Sequence, residues 1–376
     1  MIYFDNAATT AVSIKSAKAA YEIMTENYAN PSSVHDFGFA AEMLLKKARA
    51  TVLKSLGALN RTDDFFFTSG GTEANNLAVL GFFNPKKHAG KKFFFSDSEH
   101  ASVFALSKYV AENGAVVKYI PTKGGKIDLD FCKNEFDKDT VFVSCMSANN
   151  ETGAIYDIQA VSAIRKSKCP DALLHTDAVQ AFGKIEKLAL CGAELVSVSG
   201  HKVHAPKGIG GLYVKTGTKI KPILLGGGQE KNIRPGTEAL PNIIAFATAV
   251  EEFSKQNFEH VKSLYEYLET KLRDENIPIT LNKPENHLPH VVSLTLPNIK
   301  SEVMLRHLSA KGICISAGSA CSSKHRENRV LSAFGLASDK ADCTVRVSFS
   351  EYNTKDEIDL FIKHLSSGIE SLVKIK

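Results

Sequence analysis

From about residue 63 to residue 214 the chain repeats one design. A short apolar run, rich in β-branched and aromatic residues, ends in small polar residues, and a helical pattern usually follows. The runs are Asp64–Thr68, Lys92–Ser96, Val116–Ile120, Thr140–Met146, Ala172–Thr176, Leu195–Ser199 and Ile209–Val214. Strands that are apolar at nearly every position are buried on both faces, so the pattern predicts a seven-stranded, mainly parallel sheet flanked by helices. Phe37–Leu56 reads as an amphipathic helix closed by Gly57. Glu251–Glu275 reads as another, with Leu264, Leu268 and Leu272 on one stripe. Beyond it, Val291–Leu296, Ile313–Ser316 and Thr344–Phe349 read as strands separated by helices, which predicts a smaller α+β unit. The expected division is therefore an α/β large domain over 13–255 and a small domain built from 1–12 and 256–376.

Composition agrees with this picture and narrows it. The 376 residues, 44% hydrophobic and 23% charged, suffice for two cores. No apolar run approaches the roughly 18 residues needed to span a bilayer. Met1-Ile2-Tyr3-Phe4-Asp5-Asn6 carries neither the basic nor the apolar region of a secretory signal, so a cytoplasmic location is expected. The net charge of +5 comes from lysines and arginines spread along the chain, with no block that would mark a nucleic-acid footprint. The seven cysteines show no CxxC or Cys/His ligand spacing. Neither a disulfide framework nor a zinc site follows, and each cysteine is judged singly.

Parallel sheets bind ligands at the carboxyl ends of their strands, and there the chain places its unusual residues. Lys202 follows the apolar strand Leu195–Ser199. Most lysines face solvent, but one at a buried strand end acquires the lowered pKa that an imine-forming amine needs. Asp177 closes the strand Ala172–Thr176. Alone it reads as a helix N-cap, while in this company it suits a protonated ring nitrogen, with Gln180 one helical turn on to reach a ring hydroxyl. Ser69-Gly70-Gly71-Thr72-Glu73 joins a strand to a helix whose start favours an anion. It is not a Walker loop, because no Gly-Lys-Ser/Thr follows. His100, after Lys92–Ser96, can stack on a flat ring and move protons.

Cys132, Cys145, Cys314 and Cys343 sit in helical or strand patterns as small hydrophobes. Cys321 instead lies among Gly, Ser and Ala, with Lys324, His325 and Arg326 following, and nearby positive charge favours the nucleophilic thiolate. Arg346, among apolar neighbours, requires an anionic partner, for which a substrate carboxylate is a natural choice.

Taken together, the segments resemble the cysteine desulfurases of iron–sulfur-cluster assembly and nitrogen fixation, a branch of the class V aminotransferases within the fold-type I pyridoxal-phosphate enzymes. The match runs in order through Asp5-Asn6-Ala7-Ala8-Thr9-Thr10, Asn30-Pro31-Ser32, Thr68–Glu73, Glu99-His100, Asn149-Asn150-Glu151, Asp177–Gln180, Ser199–Lys202, Pro206-Lys207-Gly208, Arg234-Pro235-Gly236-Thr237 and Gly318-Ser319-Ala320-Cys321. The resemblance implies that Lys202 carries pyridoxal 5'-phosphate and that Thr72, Ser199 and His201, with the Gly71 and Thr72 backbone, bind its phosphate. It implies that Asp177 and Gln180 hold the ring, that His100 stacks on it, and that Asn150 and Arg346 hold the carboxylate of L-cysteine. Thr237 would reach the phosphate from a second subunit, implying a homodimer. Cys321 would take the sulfur as a persulfide and pass it to an acceptor protein, such as a cluster scaffold, a tRNA-thiolation enzyme or a sulfur carrier.

Three departures qualify the match. His204 stands where the family commonly has an aromatic residue. The segment between Cys321 and the next helix, Val330–Phe334, is slightly shorter than in cluster-assembly members. The chain also stops at Lys376, directly after a helix, where members that serve a scaffold often continue. Selenocysteine lyase and a small-substrate aminotransferase are the neighbouring activities. An aminotransferase would keep Lys202 and Asp177 but has no use for Cys321.

Overall fold

The computed structural model describes residues 1–58, 62–253, 258–317 and 328–372. Its strands are β1 (Ile2–Tyr3), β2 (Asp64–Thr68), β3 (Lys92–Ser96), β4 (Val116–Ile120), β5 (Thr140–Ser144), β6 (Leu173–Asp177), β7 (Leu195–Ser199), β8 (Gly210–Val214), β9 (Thr280–Leu281), β10 (Val291–Thr295), β11 (Ile313–Cys314) and β12 (Thr344–Ser348). Seven of them form one sheet in the order β2-β8-β7-β6-β5-β3-β4. Its pairs are parallel except that β8 runs antiparallel to both β2 and β7.

The continuous apolar runs have a simple cause. Alternate side chains of each strand enter two different cores. Phe65 and Phe67 join one core while Phe66 joins the other, and in β3 Phe94 faces opposite to Phe93 and Phe95. All six are buried. Each contributes about 2–3 kcal/mol of transfer free energy.

A third core unites Phe4 with residues from Val261 to Ile369. It lies behind the antiparallel trio β12-β10-β9. Phe4 packs edge-on against Phe349 and Phe361, and β1 pairs in parallel with β11, so the first residues of the chain belong to this C-terminal unit. The final helix, Lys355–Ser371, starts in a capping box between Thr354 and Glu357, which satisfies amides at its N-terminus.

One element differs from expectation. Glu251–Glu275 is not a single helix: Glu251–Phe253 end the helix Leu240–Phe253, and the leucine stripe belongs to a separate helix, Glu259–Asp274. The apolar stripe begins only at Val261, and the charged stretch before it carries no period that would reveal the break. Among the described residues no helix is long and apolar enough to cross a membrane.

Candidate active site

Four adjacent strands of the large sheet end at one place. Glu99 and His100 follow β3, Ser147–Asn150 follow β5, Asp177 ends β6, and Ser199 ends β7 and leads into the short turn Gly200–Lys202. Asp5–Thr10 closes the space from the other side. Its backbone meets the lysine turn, with the Thr10 amide donating to the His201 carbonyl (3.0 Å) and the Ser13 amide to that of His204 (2.9 Å).

Lys202 Nζ donates to the carbonyls of Ala7 (2.5 Å) and Ala8 (2.6 Å). Burial, with help from the Arg346 and Lys184 cations, pulls its pKa down to about 7. A substantial fraction is then a neutral, nucleophilic amine at neutral pH. Gln180 Nε2 donates to the same Ala7 carbonyl (2.9 Å).

Asp177 is buried, and both of its oxygens are held. Oδ1 accepts from the Val179 amide (2.9 Å) and Oδ2 from Asn75 Nδ2 (2.8 Å). Asn75 also donates to Ser102 Oγ (2.9 Å), which is 2.8 Å from His100 Nδ1, so Asp177 and His100 are linked through two residues the sequence reading missed. The signal was present: Asn75 is a polar residue on a helix face otherwise built from Ala74, Leu77 and Ala78. His100 also caps the helix Ala101–Glu112 by accepting from the Ser102 amide. Its ring is open to solvent on one side, and its protein surroundings still lower its pKa, chiefly by desolvation.

The end of the site expected to hold an anion is built by close approach. The helix Gly71–Phe82 points its start at β7 and Val179. A Cβ on Gly71 would lie 2.6 Å from Val179 Cγ2 and 3.6 Å from Ser199 Cβ, so only glycine brings the first-turn amides this near. Thr72 follows, exposed at the helix start. His201 Nδ1 is 3.2 Å from Thr9 Oγ1, and burial takes this imidazole to about 4. A cradle of helix amides, a carboxylate–amide pair and a low-pKa lysine form a donor set that suits pyridoxal phosphate.

Arg346, on β12, reaches the same space from the C-terminal unit. Its guanidinium donates to Asp5 Oδ1 (2.9 Å), Ser316 Oγ (3.2 Å) and the Asn150 carbonyl (2.8 Å). The anionic partner in this structure is thus Asp5. Arg346 Nε and Asn150 Oδ1 are both buried without a hydrogen-bond partner among the described residues, leaving one donor and one acceptor unused.

Behind Asp177 runs a buried row with little charge. Ser144 Oγ donates to Glu99 Oε1 (3.1 Å) and meets His175 Nδ1 (2.9 Å), while His175 Nε2 meets Ser197 Oγ (3.0 Å). Burial and then the Asp177 charge push Glu99 up to about 8, and burial takes His175 down to about 3. His204, unexplained in sequence, holds a left-handed φ of 63°. It ties the Ala11 carbonyl (2.8 Å) to Glu351 (3.1 Å).

Thr237 stands apart from these residues. It is exposed and lines a separate hollow with Ile23, Tyr28 and Pro31. Cys321 lies outside the described residues. Of the other thiols, burial pushes Cys132 up to about 12 and Cys169 to about 11, and raises Cys145, Cys191 and Cys343 as well.

Residues 2–361 match the family model of the class V aminotransferases, and the chain belongs to that family. Cysteine desulfurase IscS 1 of Archaeoglobus fulgidus is 37% identical over 99% of this chain and 98% of its own length. Cysteine desulfurase NifS of Azotobacter vinelandii is 37% identical over 99% of this chain and 93% of its own. A solved NifS-like protein superposes with a TM-score of 0.91 at 34% identity, covering 99% of this chain and all of that one. A structure described as SspA in complex with cysteine gives 0.80 at 29% identity over 94% of this chain and 100% of its own. Within the class V aminotransferases the chain therefore belongs to the cysteine desulfurases, enzymes that depend on pyridoxal phosphate.

Proposed function

We propose that the chain converts L-cysteine to L-alanine, that Lys202 bears the pyridoxal phosphate, and that Cys321 receives the sulfur as a persulfide for delivery to an acceptor protein. The observation that carries this reading is Lys202 itself: a lysine whose pKa is pulled down to about 7, just past the end of a buried strand, sharing a cavity with Gln180 and within electrostatic reach of Asp177 and Arg346. The cysteine bound in the similar SspA structure supports the choice of substrate.

Bound pyridoxal phosphate supplies an electron sink for the carbanion left when an α-proton departs. The roles of this chain's own residues are those the family resemblance implies, and the positions of Asp177, Gln180 and Lys202 support them. The start of the helix Gly71–Phe82, with Thr72, Ser199 and His201, seats the phosphate, and Thr237 of a second copy completes that seat in a homodimer. Asp177, its orientation set by Asn75 and the Val179 amide, would hold the ring nitrogen. Gln180 would serve the ring hydroxyl, and His100 would stack on the ring. The side-chain amide N–H of Asn150 and the unused Nε–H of Arg346 would donate to the substrate carboxylate, and the neutral amine of Lys202 takes the α-proton.

The Cys321 thiolate then attacks the substrate sulfur. An S–S bond forms as the Cβ–S bond breaks, the electron pair stays on the carbon side, and protonation of Cβ, with return of the α-proton to Cα by Lys202, completes alanine. A cytoplasmic setting, where thiols stay reduced, suits such a nucleophile.

Cys321→Ser tests the reading. The variant is expected to keep the visible absorbance of its lysine-bound cofactor and to lose cysteine-dependent sulfide release in the presence of a thiol reductant. Unchanged sulfide release would overturn the assignment of Cys321.

A further inference from the structure

Four titratable side chains to which no role has been given meet behind Lys202. Lys184, His204, His290 and Glu351 line one cavity with Lys202 and Gln180. Lys184 lies in the turn after β6. Its Nζ donates to the backbone carbonyls of Gln180 (3.2 Å) and of Lys202 itself (3.4 Å), and it faces the ring of Phe253 at 5.8 Å. Among the described residues no carboxylate lies within ion-pair distance of it. Glu351, the anion that acts on it, is engaged with His204. His290 Nδ1, buried on the cavity wall, has no hydrogen-bond partner among the described residues.

Burial lowers the pKa of Lys184 to about 8, with Glu351 opposing the shift, so at neutral pH the side chain is mostly an ammonium, and placed so it has two effects. By holding the Lys202 carbonyl together with that of Gln180, it fixes the turn that aims Lys202 relative to the helical turn that carries Gln180. By adding a like charge, it disfavours the protonated form of the Lys202 amine. The other groups that face Lys202 are known: Arg346 on β12 acts in the same direction as Lys184, while Asp5 and Asp177 oppose it. His201 and His100 also feel the Lys202 charge. Lys184 in turn faces Lys202, His204, His290 and Glu351.

We propose that Lys184 is a positioning residue for Lys202, clamping its turn through two backbone carbonyls and, while protonated, adding a positive charge that favours the neutral amine. This rests on Lys202 being the lysine that bears the cofactor.

The test uses the full chain with Lys184→Met, read in two ways. One is the pH midpoint of the visible cofactor band in the holoenzyme. The other is the pH midpoint at which Lys202 of the apoprotein is acylated by an amine reagent, mapped by peptide mass spectrometry. Both midpoints are expected to rise by about one pH unit, and Lys184→Arg, which keeps the charge, is expected to hold the wild-type values. Lys184→Gln, which leaves a polar head in the cavity, serves the same comparison if the methionine variant does not fold. Unmoved midpoints in a folded neutral variant overturn the proposal, because loss of a merely structural contact would lower activity without shifting a titration. A wild-type holoenzyme without a visible band, or a band that survives Lys202→Ala, would instead refute the role of Lys202.

Discussion

Single residues of this site act in pairs that separate charge. Asp177 and Glu99 are both buried carboxyls, yet their surroundings differ. Both Asp177 oxygens accept hydrogen bonds, one from a backbone amide and one from Asn75, whereas Glu99 Oε2 is buried with no partner among the described residues. A second full charge there would lack solvent and have, among the described residues, only the Ser144 hydroxyl as a hydrogen-bond donor to one oxygen, so Glu99 keeps its proton up to about pH 8. A stability consequence follows, and its sign is definite. Above the ordinary carboxylate range the unfolded chain has released the Glu99 proton while the native state still holds it. The native state therefore binds more protons, and stability falls as pH rises toward 8. Glu99→Gln, which mimics the protonated form, is expected to flatten that decline, as urea titrations of the two proteins at about pH 6 and about pH 8 would reveal. Equal slopes in the two proteins would show that Glu99 is ionised in the native state.

Elements were the most legible scale in the sequence, because strands and helices announce themselves by local period. Runs buried on both faces, such as Asp64–Thr68 and Lys92–Ser96, appear with the boundaries expected. The helix expected over Glu251–Glu275 failed where charged residues blurred the period between two helices. What stayed hidden were contacts between elements. Asn75 holding Asp177, Asp5 pairing with Arg346, and His204 reaching Glu351 join residues 102, 341 and 147 positions apart, and no local pattern encodes such distances. Motif order pointed to the individual site residues, but not to what keeps them in place. The junction of the helix Gly71–Phe82 with the turn after β6 shows how narrow that support is. Val179 is β-branched and stiff, so the methyl of Gly71→Ala, 2.6 Å from its Cγ2, forces the helix start back from Ser199. Affinity for pyridoxal phosphate is expected to fall about tenfold, in line with ordinary overpacking costs. Adding Val179→Ala should restore most of it, as read from absorbance titration of the apoprotein. A double variant no better than the single one would place the fault elsewhere.

At the scale of the whole molecule, the exposed apolar side chains of Met24 and Tyr28 line the hollow that contains Thr237 and mark a surface suited to burial. If Thr237 serves a neighbour's site, a mixture refolded from Lys202→Ala and Thr237→Ala chains is expected to be more active than either parent. Each mixed dimer would then contain one site with both residues present. Activity no greater than the average of the parents would return Thr237 to its own chain. A different consequence comes from Asp5–Ala8, whose carbonyls hold Lys202 and whose carboxylate pairs with Arg346, 341 residues later. During synthesis at roughly 5–20 residues per second, the wall of the pocket waits on the order of half a minute for the strand that secures it. Lys202 has by then long been made, but Arg346, which pairs with Asp5 and adds its charge to the pocket, has not. If Lys202 bears the cofactor, its capture is then expected of the finished chain and not of the polypeptide still growing on the ribosome.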